Sequence, residues 1–277
     1  MTTTTVTMKL PDGRDLDLIV GDARSDLALV AQHGLRFVAF SRPGYATSTR
    51  LPGRDIAAVV PDVAALLDRL GVERFVSLGG SGGGPHSIAC AALMEGRCLA
   101  ATALVTIAPY EAAGLDWFDG MAQLNLDEFG ATVRGEVELR KWMAANGEEF
   151  RHVTAAEVAA SFGDALPPID RAVATGDYAD RLASDFRRAL APGFDGWVDD
   201  DLAFVKPWGF ELTTIRVPVS IWQGELDRLV PHAHGRWLAD RIPGARFELA
   251  MGHGHFSLGE ANRDAILIDL LSHAGLR

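Results

Sequence analysis

The spacing of hydrophobic and polar positions changes period several times along the chain, and each change predicts an element. From residue 3 to 20, Val6, Met8 and Leu10 alternate with polar neighbours, as do Leu16, Leu18 and Val20. Pro11-Asp12-Gly13 between them is a turn signal, so the segment predicts a β-hairpin. Residues 24 to 33 carry a short helical pattern, with Leu27, Val30 and Ala31 on one face and Gly34 able to end it. Leu35 to Phe40 is a compact apolar strand, followed by the loop Ser41-Arg42-Pro43-Gly44-Tyr45. Helical spacing returns over 54 to 70 in Ile56, Val59, Val63, Leu66, Leu67 and Leu70, closed by Gly71. Arg74 to Leu78 predicts a strand that enters Gly79-Gly80-Ser81-Gly82-Gly83-Gly84. A helix of small residues, Pro85 to Met94, and a buried strand, Leu99 to Pro109, follow.

Residues 111 to 216 break this alternation with a mostly helical block, which includes the acidic run Asp199-Asp200-Asp201. Alternation resumes with Val217 to Gln223 (strand), His232 to Arg241 (helix), Arg246 to Ala250 (strand) and Asn262 to Ala274 (helix). Strands alternating with helices predict an α/β fold: a mostly parallel, doubly wound sheet flanked by helices. The expected division is a core of 1–110 and 217–277 with an inserted helical cap of 111–216.

Charge narrows the partners. A formal net charge of −11 over 277 residues disfavours nucleic acid and anionic membrane surfaces. No apolar stretch approaches the ~18 residues of a membrane span. The amino terminus has no basic region followed by an apolar run, so a cytoplasmic location is expected. Cys90 and Cys98 form no metal or redox motif and read as buried apolar residues. His232, His234, His253 and His255 match no standard zinc spacing, so neither a metal nor another cofactor is expected.

The chemistry concentrates at three strand ends. Gly79-x-Ser81-x-Gly83 lies between a predicted strand and a predicted helix, the context of a nucleophile elbow. There a sharp turn aims the serine hydroxyl outward, and the spacing asks for small residues at Gly79 and Gly83. No lysine follows the glycines, which argues against a phosphate-binding P-loop. A serine hydroxyl needs a base, and the base needs an orienting acid. Asp227 follows the strand at 217–223, with Glu225 as its rival, and His255 follows the strand at 246–250, with His253 as its rival. Both positions lie where open α/β sheets place their sites.

Together, Gly79 to Gly83, Gly224 to Pro231 and Gly254-His255-Phe256-Ser257 make the chain resemble the α/β-hydrolase superfamily, of the small capped type. Ser41 to Ser48 also resembles that superfamily's Asp-Arg-Pro-Gly-x-Gly-x-Ser loop, with Ser41 in place of the Asp. The resemblance runs from about Leu35 to the end. It implies Ser81 as nucleophile, His255 as base, Asp227 as orienting acid, and the Gly82 N–H as one oxyanion donor, with Gly80 as a substrate-binding residue. The superfamily usually carries a further central strand, a His-Gly-type oxyanion loop and a helix before the strand at Leu35. About fifteen residues separate Val20 from Arg36, too few for all three. His33-Gly34 runs straight into the next strand and fits a helix end better. The strand and its oxyanion loop are therefore expected to be absent. The strands at 35–40 and 74–78 must then pair with each other, pair with the hairpin, or expose apolar surface.

The expected function is hydrolysis of a small ester or related carbonyl compound through an acyl-enzyme. Trp117, Phe118, Trp142 and Trp208 are candidates for an apolar substrate pocket. The alternative is an α/β-hydrolase-like binding protein, non-catalytic or crippled for want of a complete oxyanion hole.

Overall fold

A computed structural model describes residues 4–20 and 33–276. The helix expected over 24–33 lies, but for its last residue, outside the described residues. β1 (Thr4–Lys9) and β2 (Asp15–Val20) form the expected hairpin, and β3 (Val38–Ser41) pairs antiparallel with β2. Met8, Leu10, Leu16 and Leu18 bury one face of this sheet against Leu66. The other face of β2 carries Asp17, also fully buried. Its carboxylate accepts hydrogen bonds from Ser41 Oγ (2.7 Å) and Thr47 Oγ1 (3.2 Å), and it pairs with Arg188. A carboxylate thus reaches the Arg-Pro-Gly loop from β2, where the sequence at Ser41 lacks one.

The parallel strands form a second sheet in the order β4 (Phe75–Gly80), β5 (Cys98–Leu104), β6 (Val219–Gly224), β7 (Arg246–Ala250). Among the described residues no strand lies between β3 and β4. β3 takes the hairpin as its partner, and among the described residues β4 pairs with β5 alone. Leu78 on β4 is 51% exposed and Phe37, just before β3, 38%.

Helices cover the parallel sheet. α1 (Val60–Arg69) starts with a proline in its first turn, where no backbone N–H is needed, and buries Val63, Leu66 and Leu67. α2 (Gly84–Leu93) is buried along its first eight residues, which their small side chains permit. Between β5 and β6 come α3 (Gln123–Val133), α4 (Glu136–Asn146), α5 (Glu148–His152), α6 (Val158–Ser161), α7 (Pro168–Val173), α8 (Gly176–Ala189) and α9 (Asp195–Phe204). The loop that opens this block packs into the main core through Ala112, Trp117 and Met121. α10 (Ala233–Ala239) and α11 (Ser257–His273) complete the layers, Leu258 and Ile266 of α11 packing on Val105. No helix among the described residues is long and apolar enough to cross a membrane.

Candidate active site

β4 passes directly into one helical turn, Ser81–Gly83, and then into α2. Ser81 has φ of +50°, a left-handed conformation that costs a residue with a side chain and persists only where the surroundings impose it. The surroundings here are tight at three places. A Cβ on Gly79 would overlap the Gly83 carbonyl, one on Gly84 would overlap the Thr106 side chain, and one on Gly82 would come within 2.8 Å of the Phe204 ring. Gly83 has room, its nearest neighbour being Arg42 at 3.9 Å from a Cβ position. The demand for small residues thus falls on Gly79, Gly82 and Gly84, not on Gly79 and Gly83 as the spacing suggests. His86, one turn into α2, lies 2.9 Å through Nδ1 from the Gly82 carbonyl. Burial, reinforced by Arg42 and Arg54, holds its pKa down to about 3, so the ring is neutral and Nδ1–H donates.

Asp227 and His255 meet across the ends of β6 and β7. Asp227 Oδ2 lies 2.8 Å from His255 Nδ1. Asp227 Oδ1 accepts the N–H groups of Leu229 and Val230, both at 2.9 Å, so its carboxylate is fixed from both ends. Burial works to lower the His255 pKa, but the charge and hydrogen bond of Asp227, with Asp170 behind them, raise it above the ordinary value. With Nδ1–H committed to Asp227, the lone pair of Nε2 is left to act as acceptor. Ser81, Gly80, Gly82 and His255 line one cavity of about 600 Å³. Neither rival lines this cavity: Glu225 Oε2 accepts the Gly252 N–H at 2.9 Å, and His253 is not among the lining residues. His234 is buried, its Nδ1 accepting the Ala108 N–H and its Nε2 donating to the Trp117 carbonyl.

Of the four aromatic candidates only Trp142 reaches the cavity. Trp117 is buried in the main core, its Nε1 donating to the Ala108 carbonyl and its ring packed edge-on against Tyr110, Phe118 and Phe129. Phe118 belongs to that cluster, and Trp208 is buried against the main core beside Phe210. These three are corrected to core residues. The apolar wall is instead built by Trp142, Phe150, Phe162, Phe186, Phe204 and Phe256.

Two sets of residues escaped the sequence reading. Asp170 on α7 is buried and accepts three hydrogen bonds from the histidine loop: His255 N–H (2.7 Å), Ser257 N–H (2.9 Å) and Ser257 Oγ–H (2.6 Å). The run Asp199-Asp200-Asp201 on α9 ties the helical block to the core. Asp199 pairs with Arg50 at 2.8 Å, and Asp200 with Arg42 at 2.5 Å and Arg54 at 2.6 Å. Burial opposes ionisation of Asp200, but the two guanidiniums outweigh it and keep its pKa below the usual range. Asp201 goes the other way: burial, with Glu128 beside it, raises its pKa well above the usual value, and burial lifts Glu128 to about 7. A signal existed only in the acidic run itself, which does not name its partners.

The sequence matches the α/β hydrolase fold family over residues 24–261. No curated protein matches it. Similar solved structures include a hydrolase from Pseudomonas aeruginosa PA01, 18% identical, covering 97% of this chain and 98% of that one at a TM-score of 0.67. A bromoperoxidase from Bacillus anthracis is 18% identical over 97% and 100% of the two chains, at a TM-score of 0.65. The esterase RhEst1 from Rhodococcus sp. ECU1013 is 19% identical over 98% and 99%, at a TM-score of 0.63. At such identities the structures speak for the fold, and they agree with the sequence match, which spans most of the chain: the protein belongs to the α/β-hydrolase fold family.

Proposed function

We propose that the protein is a serine hydrolase acting on a small ester or related carbonyl compound. The observation that carries this reading is the Asp227–His255 hydrogen bond of 2.8 Å at the cavity that Ser81 enters from a left-handed elbow. Ser81 Oγ attacks the carbonyl carbon while His255 Nε2 takes its proton. Asp227 keeps the proton on Nδ1 and stabilises the imidazolium. The Gly82 N–H steadies the oxyanion. Collapse of the tetrahedral species returns the proton to the leaving alcohol, and water repeats the cycle to free the acid. The aromatic wall suits an apolar acyl or alcohol group, and the helical block would act as the cap that excludes water. An esterase and a meta-cleavage product hydrolase among the structural neighbours are in keeping with carbonyl chemistry.

Hydrolysis of p-nitrophenyl butyrate tests the reading. Turnover by the wild type that disappears in Ser81→Ala, with both proteins folded by circular dichroism, is the expected result. Equal turnover by the two would remove Ser81 from the reaction.

A further inference from the structure

One cation at this site has donors to spare. Arg42 extends from the loop after β3, and its guanidinium is held along one edge by Asp200, through Nε at 2.9 Å and Nη2 at 2.5 Å. Tyr45 Oη donates to the same carboxylate at 2.9 Å, and Arg54 grips its other oxygen at 2.6 Å. The third nitrogen, Nη1, makes no hydrogen bond among the described residues. It lies 3.9 Å from the Cβ position of Gly83, and Nη2 lies 3.9 Å from that of Gly82. The guanidinium therefore rests against the residue that follows Ser81, and it lines the same cavity.

Charge points the same way. Two guanidiniums share the one Asp200 carboxylate, and His86 beside them is neutral. Within Arg42, Arg54, Asp200 and His86 the positive groups outnumber the negative by one, next to the elbow. The stretch from Val20 to Arg36, about fifteen residues, is read from its length as too short for the strand, loop and helix that bring a second backbone donor in this family.

We infer that Arg42 is the second oxyanion donor, its Nη1–H acting beside the Gly82 N–H. The inference rests on Ser81 being the nucleophile. As Ser81 Oγ bonds to the carbonyl carbon, its proton passes to His255 Nε2 and the C=O π pair moves onto oxygen. That oxyanion becomes the missing counter-ion of the Arg42–Asp200–Arg54 cluster. Because the guanidinium is fixed before the reaction, little reorganisation is needed as the charge develops. A lysine cannot reproduce this geometry, since its ammonium is one compact donor on a flexible stem and lacks the planar fork that holds Asp200 along one edge while leaving Nη1 free on the other.

The test measures kcat and KM on p-nitrophenyl butyrate, a neutral ester, for the full chain, Arg42→Gln, Arg42→Lys and Ser81→Ala, with melting curves for each. Arg42→Gln is expected to lose about 10²–10³ in kcat with KM little changed. Should Arg42→Gln lose its fold, Arg42→Lys carries the same test, with a fall in kcat of at least about tenfold while melting is retained. Wild-type kcat in a folded Arg42 variant overturns the inference. So does a loss confined to KM, or one seen only with esters that carry a carboxylate, which would make Arg42 a substrate anchor. Turnover that needs Ser81 but not Arg42 sinks this inference alone; no Ser81-dependent turnover sinks both readings.

Discussion

Three adjacent aspartates on α9 should respond to the same substitution in three different ways. Asp200→Asn removes the one carboxylate between Arg42 and Arg54. Arg54 is fully buried, and its Nε and Nη1 already lack partners among the described residues. Stranding a buried charge costs about 3–5 kcal/mol. For a chain of this size that lowers the melting temperature by about 10 °C. Asp199→Asn should cost about 1 kcal/mol, because Arg50 is partly exposed and keeps Glu136 and Asp195 within 3.5 Å. Asp201→Asn should change stability least, because burial and Glu128 already work against ionisation of that carboxyl and the amide copies its shape. Differential scanning calorimetry at neutral pH on the three variants and the wild type reads the order directly. Equal losses from Asp199→Asn and Asp200→Asn, or an Asp200→Asn melting point near wild type, would refute the reasoning.

Other perturbations have equally definite outcomes. Asp227→Asn can keep the Leu229 and Val230 hydrogen bonds but presents an amide N–H to His255 Nδ1, favouring the wrong tautomer. Its kcat should fall about 10⁴-fold, and the acid limb of residual activity should move to lower pH, because the charge that raises the His255 pKa is gone. Glu128 has a raised folded-state pKa, so its contribution to stability is full below about 4.5, its unfolded-state value, and is lost as pH rises through about 7. The wild type should therefore lose roughly 3 kcal/mol relative to Glu128→Gln between those limits, as followed by urea unfolding at stepped pH. Gly79→Ala should prevent the elbow from closing, whereas Gly83→Ala should fold normally, since only the first Cβ meets backbone; soluble yield and melting point separate them.

The legible parts of this fold are those set by short-range chemistry. Ser81 could be read because glycines crowd a strand-to-helix turn, and Asp227 and His255 because each sits in a loop just past an apolar strand. Asp170, Arg42 and Asp200 could not. Their partners lie 85 to 158 residues away in sequence, and no local pattern encodes such a meeting. Trp117, Phe118 and Trp208 were misplaced for a related reason: hydrophobicity says that a ring is buried, not whether it faces the core or a cavity. Element ends moved where tertiary contacts decide them. α11 begins at Ser257 rather than Asn262, since Ser257 Oγ accepts the Gly254 N–H and donates to Asp170, ordering the first turn. The strand expected through Pro109 stops at Leu104, and Val105 turns out of it with φ of +43°.

Reaction of the folded protein with a fluorophosphonate, followed by mass spectrometry of its peptides, tests most directly whether Ser81 is an activated nucleophile. The adduct should sit on Ser81, be absent from Ser81→Ala, and form far more slowly in His255→Ala while His253→Ala reacts normally. A folded wild-type protein that takes up no label, or takes it up at another residue, would contradict the proposed chemistry.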